Sequence, residues 1–386
     1  MKTFFGLVGL VAMLFLLSGG SPIIREYYVE VPASGPEELR RLVELGFDIG
    51  GVNFDKKTAT LVIPEPLLSR LDVKVLSKRL IPAPDPQYKN HSEVEQFLKD
   101  TERAFPDLAR VESIGRSVEG REIWAVQLTN RQSPVVTKPA VLFDAMHHAR
   151  EVITPEVALD IVDYLTKNYA TDAKVKRWMD HYSIWVVPMV NPDGNNRVWT
   201  QQAMWRKNTR GGYGVDNNRN YPYAWNTCNG SSGNKSSDTY RGPEPGSEPE
   251  TQALISLVRR IRPIFDISYH SFSEIVIYPF GCSPHHIPEP DRAIYEGIGR
   301  ELASKLVRDS GTGSYRAGTS YELLYNVDGG SIDWMYATEK VMAFVIEING
   351  DSLGFQPSFS QWRDITVKRQ RAGWQYILDK MSKPLS

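Results

Sequence analysis

The sequence predicts an α/β fold: a mixed β-sheet with helices on both faces, preceded by a small βαββαβ domain. Three observations carry this. From about residue 87 onward, short apolar runs of strand character alternate with longer runs at helical period, the pattern of a sheet covered on both sides. Residues 22–82 have their own strand and helix order, which folds as an antiparallel sheet with helices on one face. Between the two lies Ile81-Pro82-Ala83-Pro84-Asp85-Pro86, a stiff proline-rich connector open to proteases.

Taken in order, residues 1–20 read as a secretory signal peptide. Lys2 supplies the positive start, Phe4 to Leu17 the apolar centre, and Ser18-Gly19-Gly20 the small-residue cleavage zone. The apolar run is short for a membrane span and no cysteine follows it, so export without a stable membrane anchor is expected. In the small domain, strands are expected at Glu26 to Val31, Ile49 to Phe54, Thr58 to Ile63 and Val73 to Leu76. Its helices are expected at Gly35 to Val43, with proline near the start, and at Pro64 to Leu71. Residues 83–87 form the linker and 88–386 the larger domain. There, strands are expected at 124–128, 140–145, 184–189, 264–269, 275–278 and 343–348. Helices are expected at 92–104, 154–169, 247–261, 291–309 and 358–380. Thr154-Pro155-Glu156 reads as a helix start with a capping threonine, proline at the first position and an acid in the first turn. The stretch 208–249 is rich in Gly, Asn and Ser and lacks periodicity, which marks a functional loop.

Composition narrows the function. Forty-five Lys and Arg against 46 Asp and Glu give a net charge of −1, so neither nucleic-acid binding nor a polybasic membrane contact is expected. The only cysteines, Cys228 and Cys282, could form one bridge or remain two buried thiols. Export favours the bridge.

The chemistry begins at Ala145-Met146-His147-His148-Ala149-Arg150-Glu151, just past the apolar run Ala140 to Phe143. A His and a Glu three positions apart can grip one metal ion from a single turn. His270, at the carboxyl end of the apolar run Ile264 to Tyr269, is the candidate third ligand. Two histidines and a carboxylate leave a fourth position open, the pattern of a catalytic zinc. Such sites form where the carboxyl ends of strands meet. His147 faces the other way and suits packing behind the ligand.

Further segments come in order along the chain: Asn191-Pro192-Asp193-Gly194, Trp205-Arg206-Lys207-Asn208, Gly214 to Asn220, Tyr240-Arg241-Gly242, His270-Ser271, Leu324-Tyr325, Gly329 to Trp334 and Phe344 to Glu347. With His148 to Glu151 they resemble the zinc metallocarboxypeptidases of the pancreatic carboxypeptidase A and B type, and among these the bacterial secreted members of the carboxypeptidase T kind. The resemblance spans roughly 88–386. It implies one zinc held by His148, Glu151 and His270, with Asp216 orienting the first histidine. It implies Glu347 as general base and Arg206 as oxyanion stabiliser. It further implies Asn218 and Arg219 on the substrate's terminal carboxylate, Tyr325 closing over it, and Arg150 lining the next subsite. Two departures stand out: Phe272 comes after His-Ser where the family often has Tyr, and Ile348-Asn349-Gly350 comes after Glu347.

The resemblance thus implies a secreted, monomeric enzyme acting on peptide and protein C-termini, made as a precursor. The unit 22–82 would cover the site until a processing protease cuts near the linker. In the family, the residue after Gly-Gly-Ser forms the floor of the specificity pocket. Here it is Ile332, and Ile277, Val327 and Val345 at other pocket positions are also apolar, with Gly281 leaving room for a ring. Apolar or aromatic C-terminal residues are therefore expected. If Asp328 turned its carboxylate inward, basic residues would be accepted as well. An amidase of cell-wall peptides and a non-catalytic peptide binder are the alternatives. Asn218, Arg219 and Tyr325 speak against the first, and the intact His148, Glu151, His270 and Glu347 against the second.

Overall fold

The computed structural model describes residues 25–135, 137–282 and 285–381. The expected signal peptide lies outside them. Strands β1 (Glu26–Pro32), β2 (Ile49–Asn53), β3 (Thr58–Pro64) and β4 (Ser77–Leu80) form a four-stranded antiparallel sheet in the order β2-β3-β1-β4. The helix Pro36–Glu44 buries Leu39 and Leu42 against it.

Two elements differ from expectation. The second helix is a 3-10 turn at Glu65–Arg70, and the last strand lies at Ser77–Leu80 rather than 73–76. The apolar Val73, Val75 and Leu76 point to 73–76. The register is set instead by Glu30 of β1, whose carboxylate accepts hydrogen bonds from Ser77 and Thr58 on the strands either side.

The large sheet has eight strands. They are β5 (Ala109–Arg116), β6 (Glu122–Leu128), β7 (Ala140–Ala145), β8 (Ser183–Val187), β9 (Phe265–Ser271), β10 (Ile275–Ile277), β11 (Arg316–Gly318) and β12 (Met342–Ile348). Their order, β11-β10-β12-β9-β7-β8-β6-β5, mixes parallel and antiparallel neighbours. The two outermost strands, β5 and β11, are not among those expected from sequence. Edge strands carry polar residues outward and so lose the apolar signal, as Arg110, Glu112 and Arg116 do.

The central strands β9, β7 and β12 are almost wholly buried; β7 and β12 read as mainly apolar runs, as strands covered on both faces do, whereas β9 also buries Asp266, Ser268 and His270. Helices Thr154–Asn168, Asp291–Lys305 and Phe359–Met381 pack one face, and Pro249–Ile261 the other. The core of the small sheet is continuous with this second face through Val29, Leu61 and their neighbours.

Helices Ala173–His181 and Pro192–Thr200 are likewise additions to the expected set. Asp172 caps the first through Lys174 N and Val175 N. Asn191 caps the second through Gly194 N, so Asn-Pro-Asp-Gly is a helix start rather than a bare loop motif. Thr154 does not cap its helix. It is the first helical residue, and its hydroxyl donates to the Glu151 carbonyl at 2.9 Å, tying the metal-site turn to the helix beyond it. The segment 208–249 contains only two 3-10 turns before its last helix.

Candidate active site

Three adjacent parallel strands deliver the central groups. β9 lies between β7 and β12, and the β12–β9 register sets Glu347 beside His270. The chain leaves β7 through Met146, which has a positive φ of 58°, and turns His148 and Glu151 into the same crevice. This is the carboxyl edge of the parallel strands.

His148 Nδ1 lies 2.8 Å from Glu151 Oε1 and 3.1 Å from His270 Nδ1, and His270 Nδ1 is 3.2 Å from Glu151 Oε2. All three residues are buried. Burial pushes His148 down to about 4 and His270 well below the ordinary histidine range, which favours the neutral, metal-ligating form of both rings. Two ring nitrogens and a carboxylate converging on one point fit a zinc ion.

The far nitrogen of His148, Nε2, is 3.2 Å from Asp216 Oδ1, which fixes the tautomer that leaves the Nδ1 lone pair free for a metal. Burial alone would raise the Asp216 pKa, but the charge of Arg206 helps hold it well below the carboxylate range. Arg206 donates Nε and Nη2 to Asp216 Oδ2 at 3.1 and 2.9 Å. His147 packs behind, as expected. Its ring stacks on His270, and its Nε2 meets the Tyr221 hydroxyl at 2.9 Å.

Glu347 faces the crevice with Oε2 unpaired among the described residues. Burial first, and then the Glu151 carboxylate, push its pKa up to about 8. A dication bound to Glu151 would cancel the second effect and lower it again.

Arg219 donates Nε to the Gly230 carbonyl and Nη1 to the Asn218 carbonyl, each at 2.9 Å. Asn218 Oδ1 accepts from Ser331 N at 2.9 Å. With Tyr325, Arg219 and Asn218 border the cleft that His148, Glu151 and Glu347 face. Ile277, Gly281, Val327, Ile332 and Val345 give the same cleft an apolar wall. Asp333 also reaches this wall; it accepts from Gly281 N at 2.9 Å, and burial pushes it up to about 7. Asp328 is turned away from the pocket, its carboxylate filled by the loop 227–231. Cys228 and Cys282 are joined in a disulfide.

The small sheet lies against the cleft. Ile49, Gly50 and Gly51 of β2 line the cleft. A Cβ on Gly51 would come within 2.4 Å of the Phe272 ring and carbonyl, so only glycine fits. Val52 N donates to Ser273 Oγ at 3.1 Å. The Arg150 guanidinium stacks over Phe355 and gives both terminal nitrogens to Asp48, one at 2.8 Å. Asp48 carries no signal in the sequence. Gly50-Gly51 inside a strand does carry one, since glycine there marks a close approach of another backbone.

A family model described as zinc carboxypeptidase matches residues 94–370. Among curated proteins, a zinc carboxypeptidase of Saccharothrix mutabilis subsp. capreolus is 30% identical, the match covering 88% of this chain and 85% of that one. A metallocarboxypeptidase A of Trichophyton tonsurans is 34% identical over 66% of this chain and 61% of its own length. Among solved structures, thrombin activatable fibrinolysis inhibitor has a TM-score of 0.76 at 22% identity, covering 94% of this chain and 99% of that one. Carboxypeptidase A from Helicoverpa armigera also has a TM-score of 0.76, at 21% identity over 94% and 98%. At these identities the structural likeness concerns the fold, small sheet included.

Proposed function

The chain belongs to the zinc carboxypeptidase family and is a zinc-dependent peptidase; from that premise we propose that it is a secreted, monomeric exopeptidase, made latent, that removes apolar and aromatic C-terminal residues. The observation that carries this is the joining of two sites in one cleft. His148 and Glu151 of the metal-binding group line the same cleft as the Arg219 guanidinium and the apolar wall.

Bound zinc supplies a Lewis acid that polarises a carbonyl and brings the pKa of water to about 7. The chain's residues do the rest. Glu347 takes the proton of the attacking water and returns it to the departing amine. Arg206, held charged and immobile by two bonds to Asp216, stabilises the oxyanion. Arg219 keeps Nη2 and the second N–H of Nη1 for the substrate carboxylate, because Gly230 occupies Nε and the Asn218 carbonyl takes one N–H of Nη1. Asn218 assists, Tyr325 closes over the bound residue, and Arg150 contacts the residue upstream. Ile332 forms an apolar floor. Asp328, filled by backbone donors, offers no charge to a C-terminal Lys or Arg, which supports apolar preference over dual specificity.

Residues 22–82 act as an inhibitory domain, and cleavage near residues 83–87 by a processing protease releases the enzyme 88–386. The support is β2 lying in the cleft and Asp48 occupying Arg150. A mixed peptide pool tests the whole reading. C-terminal residues, Phe and Leu first, should be released, and the release should stop with a chelator and return with one equivalent of zinc. Chelator-resistant release, or cleavage at internal bonds, would refute it.

A further inference from the structure

Asp328 is fully buried next to the pocket, yet it faces away from it. Its Oδ2 accepts three backbone N–H groups, those of Thr227, Cys228 and Gly230, each at 3.1 Å. Its Oδ1 accepts the Ser231 hydroxyl. Four donors from one five-residue turn on a single carboxylate form an anion nest built by the protein for its own side chain. The same turn has two more ties: the Cys228–Cys282 disulfide, and Asn326, whose amide donates to the Cys228 carbonyl at 2.9 Å. Gly230 lies so close to the 327–328 backbone that a Cβ would fall 2.5 Å from Asp328 N. The Gly230 carbonyl is this turn's contact with the site, and it accepts from Arg219 Nε at 2.9 Å.

We propose that Asp328 is a positioning residue for substrate recognition: it locks the turn 227–231 so that the Gly230 carbonyl holds Arg219 Nε and aims its outer nitrogens at the substrate carboxylate. This rests on the reading that Arg219 binds that carboxylate. Asp328 therefore acts on the affinity for a free C-terminus, through Arg219, rather than on the identity of the terminal side chain. The disulfide and Asn326 keep the turn attached when Asp328 is lost, so a variant loses aim before it loses fold.

The test uses Asp328→Ala, Asp328→Asn and Arg219→Gln, each assayed in the form of the chain, intact or proteolysed, that is active in the parent. KM and kcat are measured on a substrate with a free C-terminal Phe, with zinc content as a further readout. Asp328→Ala should raise KM about tenfold or more with kcat within about twofold, since charge-assisted bonds that position a binding group are lost and the reacting groups are not. Asp328→Asn, which keeps the shape and one acceptor but not the charge, should fall between the two. Zinc should remain at one per chain. Arg219→Gln should raise KM at least as much as Asp328→Ala. Should Asp328→Ala fail to fold, Asp328→Asn decides by the direction of its KM. If Arg219→Gln raises KM while the folded Asp328 variants match the parent, the positioning role is wrong and the carboxylate reading stands. If Arg219→Gln also matches the parent, both fall. A drop in kcat at unchanged KM overturns the inference as well.

Discussion

Asp48→Ala tests most directly whether the small sheet keeps the enzyme latent. Asp48 takes both terminal nitrogens of Arg150, whose side chain is 1% exposed, while that of Asp48 is 14% exposed. Solvent screens such a pair little. Removing Asp48 leaves the buried cation with no hydrogen-bonded anion, only the Phe355 ring and the charge of Asp238 nearby, and breaking such a pair costs about 3–5 kcal/mol. That cost applies only while β2 covers the cleft, because Arg150 meets water once the small sheet lifts. The closed arrangement should therefore lose roughly a hundredfold or more relative to the open one, at about 1.36 kcal/mol per tenfold. The aromatic contacts of Tyr28 with Phe272 and Phe355 remain, as does the Lys56–Asp351 pair, so the covering is weakened and not abolished. The assay is the rate of the intact chain divided by its rate after limited proteolysis near residues 83–87. This ratio should rise about tenfold or more in Asp48→Ala. Asp55→Ala is the control: its carboxylate also bridges to the large domain, through Arg308 and Arg316, but is 56% exposed, so the ratio should barely change. An unchanged ratio in Asp48→Ala, with parental activity after proteolysis, would refute the reasoning.

Three further outcomes are expected. Glu347→Gln should retain zinc and a near-parental KM but lose about 10²–10⁴ in kcat; near-parental turnover would place the base elsewhere. Ile332→Asp should raise kcat/KM for C-terminal Arg and Lys by about tenfold or more and lower it for Phe, because a carboxylate at the floor gives the cation a partner; unchanged preference would mean that another wall sets specificity. Glu250 is fully buried, accepting from Val118 N and Asn208, and burial raises its pKa to about 7 from 4.5. The folded state then binds the extra proton between those values, so this group's stabilisation is complete below about pH 4.5 and is lost as pH rises toward 7. Comparing the melting temperatures of Glu250→Gln and the parent at pH 5 and 8 checks this: the variant should fall less between the two, and an equal fall would exclude Glu250 as the source.

Much of the site was legible because its chemistry needs particular residue types at strand ends. His148, His270 and Glu347 each stand at the exit of an apolar run, and the adjacency of β7, β9 and β12 brings them together. The buried strands β7 and β12 were legible because burial on both faces leaves a nearly unbroken apolar signal, and β9 was legible through its alternating Phe265, Ile267 and Tyr269. Features decided by partners across long separations were not. The edge strands β5 and β11 have no apolar run of their own, and the position of β4 depends on where Glu30 finds a hydroxyl. Arg150 was visible as a residue, but its pairing with Asp48 depends on how the two sheets are docked, which no local spacing encodes.

Asp328 shows the same limit from the other side. An acid next to a specificity pocket allows two opposite readings from sequence, a charged pocket wall or a structural anchor. Only the orientation of its carboxylate separates them. Three backbone N–H groups and a hydroxyl pointing at one carboxylate account for all of that orientation. They also explain why the turn 227–231 can be rich in small and polar residues and still hold Arg219. The turn needs no apolar side chain of its own, because its order comes from a buried anion and a disulfide, contributed by segments 100 and 54 residues away from Cys228 respectively.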